Sequence, residues 1–172
     1  MNDADAHPAG WSDDRLLSAC EVRFVRRSGP GGQHRNKVSS GVQLVYEPAG
    51  MTVEANERRS QHDNRRVALR RLRLALAVGV RTPSAAGPPP SEWRERIKAG
   101  RIIISLEHAD YPRFLAVALD CLAAVDWDVP RAAAQLGCTG TQLVRFIAGA
   151  PAALVRLNQE RGLRGLKPLS PR

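Results

Sequence analysis

Two adjacent glycines followed by a glutamine, Gly31-Gly32-Gln33, stand between two stretches that alternate like β-strands. Ordering a glycine costs roughly 0.5–1 kcal/mol relative to alanine in regular structure, so consecutive glycines are favoured where φ is positive or where another molecule approaches the backbone closely. The pair presents bare main-chain N–H groups beside a glutamine, and preorganised N–H donors can stabilise charge that develops during a reaction. The alternative reading of the same residues is a wide hairpin loop without chemistry.

Other catalytic and metal-binding patterns do not occur in the sequence. There is no G-x-G-x-x-G with a following acid, no Walker lysine, no G-x-S-x-G elbow and no H-E-x-x-H. The four histidines show no ligand spacing, and the three cysteines include no C-x-x-C pair. We therefore expect no metal, no cofactor and no disulfide framework, and we expect Cys20, Cys121 and Cys138 to be buried thiols in a reducing compartment.

The charge of the chain favours a polyanionic partner. The formal net charge is +9, and residues 21–81 carry thirteen basic against five acidic residues. Only three of the 26 cations are lysines, and guanidinium groups can fork onto phosphates and stack on bases. RNA fits this composition better than a membrane does, although a solvated charged face gives the same excess without any partner. The N-terminus lacks an apolar signal core, so we expect a cytoplasmic protein.

The elements around the glycines predict a small α+β unit. "SDDRLLSA" predicts a short helix capped by Ser12, and "CEVRFVR" predicts a strand with Cys20, Val22 and Phe24 on one side. "GVQLVYE", "PAG" and "MTVEA" predict a hairpin, and Ser60 opens a long helix. That helix has an apolar stripe and an opposite cationic side, formed by Ala68, Leu72, Ala75 and Leu76 and by Arg66, Arg70 and Arg73 respectively.

We expect two domains in a chain of this length. The predicted fold is α+β: a small glycine-loop domain of strands plus one long helix over residues 11–80, a Pro-rich linker over 81–91, an all-α domain over 92–162 and a basic tail over 163–172. Within the helical domain, "VPRAAAQLGCTGTQLVRFI" resembles a helix-turn-helix, with Gly137 allowing the turn. The short piece "RIIISL" could be extended or helical.

The segment "RSGPGGQHRNKVSSGVQLVY", followed by "ERRSQHDNRRVALRRLRLAL", resembles the catalytic domain of class I peptide chain release factors over about residues 11–80. It is most similar to the short rescue factors that act on stalled ribosomes without reading a stop codon. The resemblance implies a ribosome-dependent peptidyl-tRNA ester hydrolase whose catalytic residues are Gly31, Gly32 and Gln33. The main-chain N–H of Gln33 would stabilise charge at the reaction centre, and its side chain would orient water.

The resemblance also implies the partners. These are large-subunit rRNA at the peptidyl transferase centre and the P-site peptidyl-tRNA, with the protein monomeric away from the ribosome and with no membrane involved. The residues expected to contact RNA are Arg26, Arg27, His34, Arg35, Asn36, Lys37, Arg66, Arg70 and Arg73. Codon-reading factors carry further domains, so a chain of this length favours rescue. The alternative is a non-catalytic ribosome- or RNA-binding protein built on the same fold.

The second domain departs from the short rescue factors, which usually end in a basic tail that occupies the mRNA channel. Three roles stay open for its helix-turn-helix: a purely structural packing, docking to rRNA or a ribosomal protein, and DNA reading in a nucleic-acid regulator. The candidate recognition helix has just one cation, Arg145, which is few for phosphate contacts. The final "RGLRGLKPLSPR" is either an RNA-contacting tail or disordered.

Overall fold

The computed structural model describes residues 7–25, 40–82 and 87–171. The chain divides into two compact units, Pro8–Leu76 and Ala77–Arg172, the latter with Met1–His7. The division falls inside a continuous helix, whereas the sequence predicted a boundary after residue 80. The α+β class is confirmed.

The first unit contains α1 (Asp13–Ser18), β1 (Glu21–Val25), β2 (Gly41–Tyr46), β3 (Met51–Ala55) and most of α2 (Gln61–Gly79). The strands form an antiparallel sheet in the order β1-β2-β3. The predicted caps are confirmed, because Ser12 Oγ accepts from the Arg15 N–H (3.3 Å) and Ser60 Oγ accepts from the Asp63 N–H (3.4 Å). These bonds satisfy N–H groups that a helix start leaves open.

The core of the first unit is supplied by α1, the sheet and the apolar stripe of α2. Its fully buried side chains include Leu16, Val42, Leu44, Ala68, Leu72 and Leu76. Phe24 pairs with the buried Val42 but is itself 50% exposed. It lies on β1, an edge strand, where a side chain has a neighbouring strand on one side only.

The second unit is mainly helical. It contains α3 (Ser91–Glu95), β4 (Ile97–Lys98), β5 (Arg101–Ile102), α4 (Tyr111–Ala124), α5 (Val129–Leu136), α6 (Gly140–Ala148) and α7 (Pro151–Leu163). The expectation of an all-α unit is wrong at one place, because β4 and β5 form a small antiparallel hairpin. Its turn places Ala99 (φ 48°) and Gly100 (φ 73°) in the left-handed region, and these two residues reverse the chain between β4 and β5.

Buried aromatic residues fix the helices of the second unit. Trp93 Nε1 donates to the Leu136 carbonyl oxygen (2.9 Å), and the Tyr111 hydroxyl donates to the Phe146 carbonyl oxygen (2.9 Å). Trp93 also meets Phe114 and Phe146 edge-on, at ring-centroid distances of 6.0 and 5.8 Å. Each buried ring therefore satisfies its polar group while filling the core.

The predicted helix-turn-helix is present as α5, a turn at residues 137–139, and α6. Gly137 ends α5 with φ 71°, and Thr139 caps α6 by accepting from the Gln142 N–H (3.2 Å). Leu136 and Leu143 are buried behind the turn. Of the three free thiols, only Cys121 is buried; Cys20 and Cys138 are partly exposed, which corrects the expectation for those two.

The segments at both ends of the second unit are held by side chains. Arg81 Nη1 donates to Asp120 Oδ1 (3.0 Å), and the Thr82 hydroxyl also donates to the Asp120 carboxylate. After α7, Asn158 exchanges two hydrogen bonds with the backbone of Leu169 (2.9 and 2.8 Å). The predicted tail is therefore folded back as far as Leu169, and the predicted bounds of linker and tail stay predictions.

Candidate functional site

The predicted catalytic residues Gly31, Gly32 and Gln33 lie outside the described residues. So do six of the predicted RNA-contacting residues: Arg26, Arg27, His34, Arg35, Asn36 and Lys37. The structure does describe the residues near the two ends of segment 26–39. They are the last residue of β1, the first residue of β2 and the start of α2, and together they are called the frame. The site is built from this frame.

The two strand ends approach each other closely at Gly41. Val25, the last residue of β1, pairs directly with Gly41, the first residue of β2. A Cβ on Gly41 would lie 2.7 Å from Val25 Cγ2 and 2.8 Å from the Val25 carbonyl oxygen. Glycine is therefore required here by space, because the backbone oxygen cannot move aside without disturbing the strand pair.

Asn64, in the first turn of α2, ties the same place to the rest of the unit. Its side chain is fully buried. Nδ2 donates to the carbonyl oxygens of Ser40 (2.6 Å) and Arg58 (2.9 Å), and Oδ1 accepts from the Arg58 N–H (2.9 Å). One side chain thus satisfies three backbone groups and holds Ser40, the residue immediately before β2, against the segment between β3 and α2.

A second tie connects α2 to the end of β3. The guanidinium of Arg71 donates to the Glu54 carbonyl oxygen and to the Glu57 carboxylate. The pKa of Glu57 is lowered by hydrogen bonds from its own backbone N–H and from that of Asn56, as well as by the Arg71 ion pair. Burial opposes this lowering only in part, so the carboxylate is favoured in its charged form.

The three predicted cations of α2 have different surroundings. Arg66 is exposed, with no hydrogen bond or ion pair to another described residue, and Arg70 is partly exposed and has a partner within the chain. Arg73 donates to the Ala9 carbonyl oxygen (2.9 Å) and pairs with Asp13 (2.7 Å), which leaves its side chain 13% exposed. Arg66 is thus presented to solvent, while Arg73 holds the N-terminal segment of the unit.

Two residues of this frame were not assigned a role from the sequence. Asn64 lies in the segment that resembles release factors, and its spacing from Ala68 and Leu72 puts a polar residue on the apolar stripe of α2. A polar residue at a stripe position signals a buried side chain that must find partners. Gly41 gives a weaker signal, a glycine at the start of a predicted strand.

The described residues contain no cluster of three or more His, Cys, Asp or Glu side chains able to hold a metal ion. Within the same ranges, none of the helices has the length and apolar character needed to cross a bilayer.

Known proteins match this chain in the region that contains the frame. The RF-1 domain family matches residues 17–101. Peptide chain release factor 1 of Acidiphilium cryptum (strain JF-5) is 47% identical over 66 residues, which cover 38% of this chain and 19% of that protein. Peptide chain release factor 2 of Variovorax paradoxus (strain S110) is 53% identical over 62 residues, which cover 35% and 17% respectively.

The match is thus confined to about a fifth of the length of these curated relatives. No solved structure matches the chain. The matched residues include the whole frame described above, from β1 to α2, together with the segment 26–39 between its strands. Over residues 17–101, this chain is therefore similar to the RF-1 domain of peptide chain release factors.

Proposed function

We propose that this protein hydrolyses the ester bond of peptidyl-tRNA on the ribosome and so releases the nascent peptide. The observation that carries the proposal is the position of Gly31-Gly32-Gln33, within the release-factor match and between two strands whose ends are fixed at Val25–Gly41. A catalytic group on a loop needs a rigid support, and here the support comprises a strand pair and a buried side chain.

The main-chain N–H of Gln33 is the proposed catalytic donor. A fixed donor aimed at developing charge needs little reorganisation, and the loss of one such donor in an enzyme typically costs about 2.7–4 kcal/mol of transition-state stabilisation. Gly31 and Gly32 would allow the backbone conformation that presents it. The Gln33 side chain would orient the attacking water, with rRNA and the tRNA supplying the remainder of the site.

The cations around the loop are the proposed RNA contacts. Arg26, Arg27, His34, Arg35, Asn36 and Lys37 flank the catalytic residues in sequence, and guanidinium or ammonium groups there would bind rRNA phosphates and fix the register of the loop. The exposed Arg66 extends this set in the described part of the unit. Arg70 remains a proposed contact, while Arg73 would have to give up its ion pair with Asp13 to bind RNA.

We propose further that release does not depend on a stop codon. The support is that the helices from α4 onward lie outside the release-factor family match and form a unit of a different kind. Recognition of a codon needs surface that reaches the decoding centre, and the resemblance assigns that task to a domain other than the matched one. The proposed setting is rescue of stalled ribosomes in the cytoplasm, by a protein that is monomeric when free.

Peptide release from ribosomes stalled at the end of an mRNA without a stop codon tests the proposal. The wild-type chain should release the peptide, and Gly32→Ala and Gln33→Ala should lower the single-turnover rate at saturating protein. For Gly32→Ala the expected loss is about 10²–10³-fold, which is what misplacing one preorganised donor costs. Gly87→Ala is the matched control, because no atom lies within 4 Å of the added Cβ and the backbone there is ordinary.

The same experiment separates the alternatives. Equal release by wild type and Gly32→Ala would remove the catalytic role of the loop. Ribosome binding by wild type with no release would favour the non-catalytic binder. A second arm places a stop codon or a sense codon in the A site: release that requires the stop codon would overturn codon independence while leaving the hydrolase intact.

A further inference from the structure

The β4–β5 hairpin places two cations directly opposite each other. Lys98 and Arg101 are register partners at the end of the hairpin, and both residues are exposed. Neither side chain forms a hydrogen bond or ion pair with another residue in the described ranges. Like charges directly opposite on paired strands are destabilising. This repulsion destabilises the hairpin in the free protein, and a bound anion would relieve the repulsion.

The hairpin turn is fixed to the turn between α5 and α6. The Thr139 N–H donates to the Gly100 carbonyl oxygen (3.0 Å). The side chain of Thr139 lies 3.5 Å from where a Cβ on Gly100 would be, and that of Ile97 lies 3.9 Å from the corresponding point on Gly137. These contacts hold the two cations beside the N-terminal end of α6.

The end of α6 adds to the positive character of this surface. A helix N-terminus carries a partial positive charge and unpaired N–H groups, and α6 begins at Gly140 with Thr139 as its cap. Thr141 is exposed and Gln142 is partly exposed, so both can donate hydrogen bonds to an oxygen-rich ligand. Two side-chain cations, a helix end and two neutral donors are therefore adjacent.

Acidic residues compensate this surface only weakly. Residues 94–101 carry four basic residues and one acidic residue. The acid just before them, Glu92, is engaged by Arg113 (2.8 Å), and Asp128, which precedes α5, caps that helix by accepting from the Arg131 N–H (2.9 Å). The excess of cations thus stays without an equal number of carboxylates.

We propose that this surface, formed by Lys98, Arg101 and the start of α6 at residues 139–142, docks on the phosphate backbone of structured RNA. The proposal rests on the proposed function, since RNA in the particle on which the release-factor unit acts is the polyanion available to both units. Base reading in DNA fits less well, because α6 has only one cation, Arg145. Phosphate contacts position a protein without reading sequence, which is what a second anchor requires.

The test is the salt dependence of binding to purified large ribosomal subunits, compared between wild type and Lys98→Gln/Arg101→Gln. Each phosphate contact contributes about 0.7–0.9 to the slope of log affinity against log salt. The double variant should therefore bind more weakly, with a slope smaller by about 1.4–1.8. When the salt concentration rises from 50 to 200 mM, the fold-loss of affinity should be roughly tenfold smaller for the double variant than for wild type.

A charge-matched variant, Arg131→Gln/Arg156→Gln, controls for the loss of two positive charges elsewhere in the same unit, at residues with no predicted RNA contact. An equal fall in slope for this control would mean unspecific charge and would overturn the assigned surface. An unchanged slope for Lys98→Gln/Arg101→Gln would overturn it as well. Thermal unfolding supplies a check on folding: relief of the like-charge pair should leave the melting temperature unchanged or raise it, whereas a purely structural role for these cations predicts a lower one.

Two further arms keep this inference separate from the proposed hydrolysis. The binding measurements are repeated in a Gly32→Ala background, where the slope difference should persist although release is impaired. If the wild-type chain fails to release peptide while the slope difference is intact, only the proposed hydrolase activity is overturned. Duplex DNA binding that is tighter than subunit binding, and that depends on Lys98 and Arg101, would overturn RNA as the partner.

Discussion

Replacing Asn64 by alanine should destabilise the first unit far more than an ordinary surface substitution does. The side chain is fully buried, and its amide makes all three bonds that connect Ser40 and Arg58 to α2. Alanine leaves two carbonyl oxygens and one N–H without their partner. An unsatisfied buried polar group costs about 1–3 kcal/mol, whereas a well-made hydrogen bond contributes only about 1 kcal/mol net.

The expected magnitude is smaller than the simple total. Arg58 is exposed, so water can replace part of what its backbone groups lose, and the three effects are not additive. We expect a loss of about 2–4 kcal/mol in the free energy of unfolding of this unit. For a unit of this size, each 1 kcal/mol lowers the melting temperature by roughly 4–8 °C, so the transition should fall by on the order of 10 °C or more.

Urea unfolding followed by circular dichroism measures this loss, with two comparison variants. Asn64→Asp keeps an acceptor for the Arg58 N–H but turns a carboxylate towards two carbonyl oxygens, so it should be at least as destabilising as Asn64→Ala. Asn56→Ala is the matched control, because among the described residues that amide donates only to the Glu54 carboxylate, at 3.1 Å. A loss in Asn64→Ala no larger than that in Asn56→Ala would refute the reasoning.

Three further results are expected. Gly41→Ala should destabilise the strand pair and slow peptide release, because the new Cβ would lie 2.8 Å from the Val25 carbonyl oxygen; wild-type stability and release would show that the strand ends can separate freely. The pKa of Glu92 is lowered to about 2 by its own backbone N–H and by Arg113. A depressed pKa in the folded state stabilises above the unfolded value and is lost on acidification, so wild-type stability should fall between about pH 4.5 and pH 2, and Glu92→Gln should flatten that fall; parallel curves would contradict the assignment. Burial raises the pKa of Cys121 to about 11, so its labelling by a thiol reagent at pH 8 should be slow until the protein unfolds, and labelling at the rate of a free thiol would contradict its burial.

Local rules predicted most of the first unit. The stripe at Ala68, Leu72 and Leu76 and the alternation at Val42 and Leu44 follow from periodicity alone, since each period requires one buried face. The side-chain caps at Ser12 and Ser60 follow from the chemistry of helix starts. What periodicity could not supply was the partner of a buried polar group: Asn64 bonds to Ser40, which lies 24 residues away in the chain.

The small hairpin of the second unit was predicted only in part, for a different reason: an extended conformation was one of two possibilities for the piece that contains β5, and β4 was not predicted. Its strands have two residues each, too short for any alternation to show, and the helical propensity of the flanking sequence dominates a window of ordinary length. Its turn depends on Ala99 in a left-handed conformation that alanine seldom adopts. The bond between Gly100 and Thr139 is a tertiary contact, and no local rule contains it.

The positive charge of the first unit is greater than the charge it can offer to a partner. Arg23 is paired with Glu21 (2.7 Å), Arg71 with Glu57, and Arg73 with Asp13 (2.7 Å), and the last two also bind backbone oxygens. The latter two guanidiniums therefore connect α2 to the end of β3 and to the N-terminal segment, and would lose those bonds on moving to a phosphate. The net charge favours a polyanionic partner. The pairing within the fold then separates the cations that are available to a partner from those that already stabilise the unit. On this basis Arg66 is a better candidate for a proposed RNA contact than Arg73, whose guanidinium already binds Asp13 and the Ala9 carbonyl oxygen.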